Sequence, residues 1–137
     1  MNFEYKINAP ISAAQFVDVL KRSGLGERRP IDDLACIEGM VSNSNLIVTA
    51  WAGDQLIGVA RSVTDFHYAC YLSDLVVCRS HQKLGVGKQL QMLTQKELGP
   101  RCKLILIAAP AANEYYGQIG YINNPRCWVL ERVSLIR

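Results

Sequence analysis

The sequence predicts an α/β (α+β) fold: one mixed sheet carrying helices on both faces, in the order βααβββαβαββ. Three observations predict it. Short alternating or wholly apolar runs read as strands. Apolar residues at helical spacing lie between several of them. A strand–helix–strand unit over residues 68–109 demands a parallel pair, whereas the meander before it demands antiparallel pairs.

Each element has its own signal. Phe3, Tyr5 and Ile7 alternate with polar residues, which makes 2–7 a strand that Pro10 stops. Ser12 followed three residues later by Gln15 has capping-box spacing, and Phe16, Val17 and Leu20 then repeat at helical period as far as Ser23-Gly24. Leu34, Ile37 and Val41 predict a second helix from Asp32 to Val41. Leu46–Ala52 and Gln55–Val63 are apolar runs joined by Gly53-Asp54, a hairpin signal. Tyr68–Cys78 is apolar on both alternating faces, as a strand covered on both sides must be. The segment His81–Lys88 leads into a helix whose buried stripe is Val86, Leu90 and Leu93, closed by Gly99-Pro100. Lys103–Ala109 is a further buried strand, and Pro110 opens a short helix through Gly117. Tyr121-Ile122 and Trp128–Val133 are expected to end the chain as strands.

Composition narrows the class. The 137 residues fit one domain, expected over 1–137. Half of them are hydrophobic and the net charge is only +3, which excludes intrinsic disorder and argues against a nucleic-acid partner. The longest apolar stretch, Leu104–Ala112, has nine residues and is broken by Pro110; a membrane span needs about 20. Glu4 and Lys6 interrupt the first residues, so no signal peptide is read there and a cytoplasmic location is expected, with no membrane partner. The five cysteines are odd in number and contain no CxxC, so free thiols and no metal are expected.

The segment that carries chemistry is Gln82-Lys83-Leu84-Gly85-Val86-Gly87-Lys88, between a buried strand and a helix. Glycines allow close backbone approach. The first N–H groups of a helix lack internal partners, and the helix dipole adds partial positive charge. Together these build a phosphate cradle, with Lys83 and Lys88 as nearby point charges. A Walker A loop would need Gly at Gln82 and a hydroxyl at Gln89; a dinucleotide fingerprint would need Gly at Leu90. Neither fits, and Q-x-x-G-x-G remains.

That motif resembles the signature [QR]-x-x-G-x-[GA] of the GNAT superfamily of N-acetyltransferases. A second segment, Ala112-Asn113-Glu114-Tyr115-Tyr116-Gly117-Gln118-Ile119-Gly120-Tyr121, looks like the family's A-x-x-[FY]-Y-x-x-x-G-[FY]. The two start 30 positions apart, in the family's order, and the element order matches across essentially the whole chain.

The resemblance implies the acyl-CoA N-acyltransferase fold and acetyl-coenzyme A as co-substrate. It implies binding in an opening between the strands Tyr68–Cys78 and Lys103–Ala109. Backbone groups of Leu75, Val76 and Val77 would pair with the pantetheine arm, and the Leu75 N–H would polarise the thioester carbonyl. The pyrophosphate would rest on N–H groups of Lys83, Leu84, Gly85, Val86, Gly87 and Lys88, after Gln82. Asn113, one turn before Tyr116, is implied as a further cofactor contact. Tyr116 matches the family tyrosine beside the sulfur and is implied as general acid to the departing thiolate; Tyr115 reads as packing.

The general base is less defined. The glutamate of the histone-acetylating branch would fall at Tyr71, so it is absent. Asp74 is a candidate base or orderer of a proton-carrying water, or else a polar anchor near a strand irregularity. His81 and His67 read as loop residues. A water chain without any single base is the other route. Arg28, Arg29, Glu38, Arg61, Tyr68 and Trp128 are acceptor-side candidates by location. Trp51 and Trp128 are expected in a core or an interface. The reaction implied is direct acetyl transfer to a primary amine, of a small molecule rather than a protein lysine or N-terminus. The competing reading is a non-catalytic acyl-coenzyme A sensor. A homodimer through the C-terminal strands is expected by analogy.

Overall fold

The computed structural model describes residues 2–137 and divides into two compact units, one ending at Leu106 and one spanning Ile107–Arg137. The first holds the sheet. Its strands are β1 (Glu4–Ile7), β2 (Leu46–Ala52), β3 (Gln55–Thr64), β4 (Ala69–Val77) and β5 (Lys103–Ile105). They lie in the order β1-β2-β3-β4-β5, antiparallel except for the parallel β4–β5 pair. The mixed sheet expected from the sequence is therefore present.

Helix α1 (Ala13–Ser23) starts with the expected box. The Gln15 N–H donates to Ser12 Oγ and the Ser12 N–H to Gln15 Oε1. Gly24, at φ 88°, ends it in the left-handed region that glycine enters without a Cβ clash. Replacing Ser12 with alanine is expected to cost about 1 kcal/mol, read as a shifted urea midpoint with unchanged slope. Helix α2 (Leu34–Ser42) is capped by Asp33. Helix α3 (Val86–Lys96) follows β4.

Register shows how the helices flank the sheet. Gly58 pairs with Val77, and a Cβ on Gly58 would come 3.1 Å from Leu90 and 3.3 Å from Val86 on α3. Gly58 and Val77 therefore face α3. The alternate residues face the other way, where the Arg22 guanidinium of α1 reaches Cys78 Sγ and the Leu56 carbonyl. Phe16 and Leu20 of α1, Ile37 of α2, Ile57 and Val59 of β3, and Val86 and Leu90 of α3 are almost fully buried. Each large apolar side chain so buried contributes roughly 1.5–3 kcal/mol.

Two expectations are corrected. The strand read over Lys103–Ala109 is only Lys103–Ile105, because β4 offers it just three partners, Ala69, Cys70 and Tyr71. The final strands at Tyr121-Ile122 and Trp128–Val133 are absent. Residues 119–137 form turns and coil, since a short apolar run makes no strand without a backbone partner. Trp128 is 91% exposed and is not a core residue, whereas Trp51 is buried, its indole N–H donating to Thr49 Oγ1.

In the second unit, a 3₁₀ turn (Pro110–Ala112) leads through Asn113 and Glu114, both right-handed helical, into α4 (Tyr115–Gln118). Among the described residues, no helix is long and apolar enough to cross a membrane.

Candidate active site

Two features of the first unit come together at the end of β4. The first is an open strand edge. The β4–β5 ladder stops at Tyr71, so among the described residues Leu72–Val77 run on with β3 as their only ladder partner. In an antiparallel pair, successive residues alternate between bonding their partner and pointing away from it. The Cys78 N–H donates to the Ile57 carbonyl. Counting back through the register, Val76 and Asp74 also turn their backbone groups to β3, while Leu75 and Val77 turn theirs to the open side. Of the three residues expected to supply backbone groups, register thus directs Leu75 and Val77 outward and keeps Val76 in the ladder. The Val77 carbonyl accepts from the Gln82 amide at 2.9 Å.

The alternation would run differently without a bulge. Leu72 pairs with Ser62 and Asp74 with Arg61, so Ser73 is an extra residue on β4. Arginines from two directions grip it. Arg29 Nη2 donates to the Ser73 carbonyl and Arg61 Nη2 to Ser73 Oγ, at 3.0 and 2.9 Å. The Asp74 carboxylate accepts from Nε of both guanidiniums, one on each oxygen. Asp74 has no exposed side-chain surface, and Arg61 is 8% exposed. Arg61 also donates to Ser44 Oγ just past α2, at 2.9 Å. Both Asp74 oxygens are thus engaged and buried. The carboxylate holds guanidiniums instead of facing an amine, which favours the anchor role over the base expected of it.

The second feature is the start of α3. Gly85 occupies the N-cap position at φ 84°, and Lys83 is also left-handed at φ 65°. No side chain caps the helix, and its first turn carries no acid. Its leading N–H groups are left to an external acceptor, with the positive end of the dipole behind them. Space is available: a Cβ on Gly85 would meet nothing within 4 Å, and one on Gly87 only Val77 Cγ2 at 3.7 Å. That last contact also places the helix start beside the outward edge of β4. Lys83, Leu84 and Lys88 are exposed, whereas the Val86 side chain belongs to the core.

Elsewhere in this unit, Glu38 and Arg28 are exposed, and Lys103 Nζ lies 3.5 Å above the exposed Tyr68 ring. His81 meets Phe3 edge to face, and Tyr71 is exposed. Asp65 accepts from the N–H groups of His67, Tyr68 and Ala69, which hold its carboxyl down at about 2 and build the turn that launches β4. Among the described residues, no cluster of His, Cys, Asp or Glu is arranged to hold a metal ion, and the five cysteines are free.

In the second unit, Tyr116 packs edge to face against Tyr115 and Tyr121, at centroid distances of 5.2 and 5.4 Å. Burial, and then the neighbouring Tyr115, raise its phenol above the ordinary 10.0. Tyr116 therefore keeps its proton throughout the neutral range. Asn113 is exposed, three positions earlier on the same helical turn.

A β4–β5 parallel pair that parts after three residues, with the uncapped, glycine-led α3 connecting its two strands, defines a mixed α/β protein with an open strand edge beside a helix start. A family described as an acetyltransferase (GNAT) domain matches residues 29–127, and the chain belongs to that family. An uncharacterized N-acetyltransferase of Pyropia yezoensis is 28% identical over 91 residues, 62% of this chain. The chain spans about half the length of that relative, 52%. A protein of unknown function from meticillin-resistant Staphylococcus aureus has the same fold, with TM-score 0.77, 19% identity, and coverage of 95% of this chain and 98% of its own. An aminoglycoside N-acetyltransferase solved with coenzyme A also shares it, with TM-score 0.70, 18% identity, and coverage of 96% and 95%.

Proposed function

We propose that the protein is an acetyl-coenzyme A-dependent N-acetyltransferase that moves an acetyl group directly to a primary amine of a small molecule. The observation that carries this reading is the outward-facing Leu75 and Val77 backbone beside the uncapped start of α3. An edge strand can pair with an amide-bearing arm as with another strand. The arm of coenzyme A carries two amides and ends in phosphates, which suit the N–H groups from Lys83 to Lys88. Family membership supplies the acetyl group and the amine.

In this reading the Leu75 N–H donates to the thioester carbonyl and stabilises negative charge as it develops there. Tyr116, which matches the tyrosine of the family motif, donates a hydrogen bond to the departing thiolate. A thiol titrates near 8.5, below the Tyr116 phenol, so complete proton transfer is uphill and the tyrosine acts chiefly by hydrogen bonding. With both Asp74 oxygens engaged, deprotonation of the amine is assigned to water. Asn113 is kept as a cofactor contact. A single domain, a cytoplasmic location and a homodimer through the exposed apolar C-terminal segment complete the proposal.

The test is release of free thiol from acetyl-coenzyme A across an amine panel. Tyr116→Phe is expected to lower kcat about a hundredfold. Raised folded-state titration means that Tyr116 donates at all lower pH and stops as pH climbs past its shifted value. The wild-type rate should therefore have an alkaline limb above pH 10 that the Phe variant lacks. Coenzyme A binding with no acetylated product from any amine would leave the non-catalytic sensor instead.

A further inference from the structure

We propose that Arg29 and Asp74 form a positioning clasp that selects which backbone N–H of β4 faces the open edge. This rests on the reading of Leu75 as the thioester donor.

With Ser73 as the extra residue, Asp74 pairs with Arg61 and Leu75 points outward. Without that bulge, Ser73 would pair with Arg61, and every following residue would slip by one. Leu75 would then turn into the ladder, and Asp74 and Val76 would face the opening. A bulge needs something to keep it from migrating along the strand. Here the two bulge residues receive four hydrogen bonds from two guanidiniums: the Ser73 carbonyl, Ser73 Oγ and both Asp74 oxygens. The grips come from separate elements. Arg61 sits across the ladder on β3, and Arg29 follows the 3₁₀ turn Gly26–Arg28. Arg29 also donates to the Arg28 carbonyl, which ties that segment to the bulge.

Arg29 is the informative position. Its side chain is 23% exposed, and removing it leaves Asp74 paired with the buried Arg61, so no charge is stranded. Arg29→Ala is therefore expected to fold, with the bulge gripped from one side only.

Two readouts test the clasp. In the wild type, amide hydrogen exchange should be slow at Asp74 and Val76 and faster at Leu75. In Arg29→Ala, exchange at Asp74 and Val76 should accelerate at least tenfold. In steady-state kinetics, kcat should fall at least tenfold, and KM for acetyl-coenzyme A should rise by a smaller factor, because the outward row that pairs with the arm shifts while the pyrophosphate cradle is untouched. Millimolar guanidinium should restore part of the lost kcat. Unchanged exchange at these amides overturns the proposal, as does a loss seen only in KM. Slow Leu75 exchange with fast Val76 exchange in the wild type also overturns it. If the wild type acetylates no amine, the transferase reading fails while the exchange pattern still decides the clasp. Should Arg29→Ala not fold, Arg29→Gln and Ser73→Ala carry the same measurements.

Discussion

Replacing Asp74 with alanine is expected to lower the unfolding free energy by about 3–5 kcal/mol, the cost of stranding a buried charge. The carboxylate faces two guanidiniums, and one of them, Arg61, is almost wholly enclosed. Solvent cannot replace the lost partner at Arg61, so the attraction is lost while the desolvation cost remains. Asp74→Asn keeps the shape and one acceptor oxygen and should cost less than alanine. Urea unfolding followed by circular dichroism measures both. A loss below about 1 kcal/mol for alanine would place the pair among solvent-screened surface ion pairs and remove the anchor role.

Gly87→Leu should act in the opposite sense on stability and ligand. Gly87 lies in the first turn of α3, and a Cβ there meets only Val77, at ordinary contact distance. Leucine is a better helix former than glycine by about 0.5–1 kcal/mol, so thermal stability should hold or rise. The added side chain would fill the space in front of the leading N–H groups. Each hydrogen bond to a charged acceptor is worth about 1.5–3 kcal/mol, so losing one or two should weaken coenzyme A binding by about a hundredfold. Calorimetric titration beside a melting curve reads both. Unweakened binding would remove the phosphate site from the start of α3, whereas weakened binding with a lowered melting point would mean only that the helix start had been damaged.

Legibility in the sequence followed the range of the forces involved. The capping box at Ser12, the stop at Gly24 and the hairpin at Gly53-Asp54 are set within a few residues, and each lies where its motif indicates. The glycines of the Q-x-x-G-x-G segment likewise mark the start of α3, because φ 84° at Gly85 is a local demand. The last strands are absent because Trp128–Val133 carries β-favouring apolar residues but gains no ladder. The clasp was visible only in pieces. Arg29 and Arg61 stood among acceptor-side candidates, and Asp74 stood as a base or an anchor. Their union spans 45 and 13 positions along the chain. It also depends on one extra strand residue, which no apolar periodicity reveals.

The outward row on β4 consists of main-chain groups, and main-chain groups are the same in every residue but proline. Leu75 and Val77 can therefore drift to other apolar side chains without erasing the row, provided that the register holds. Pressure on the sequence moves to the residues that fix phase, Ser73 and its two arginines, and to prolines that would delete a donor. A surface built this way tolerates wide divergence in residue identity. It is intolerant of a single insertion or deletion between Leu72 and Leu75.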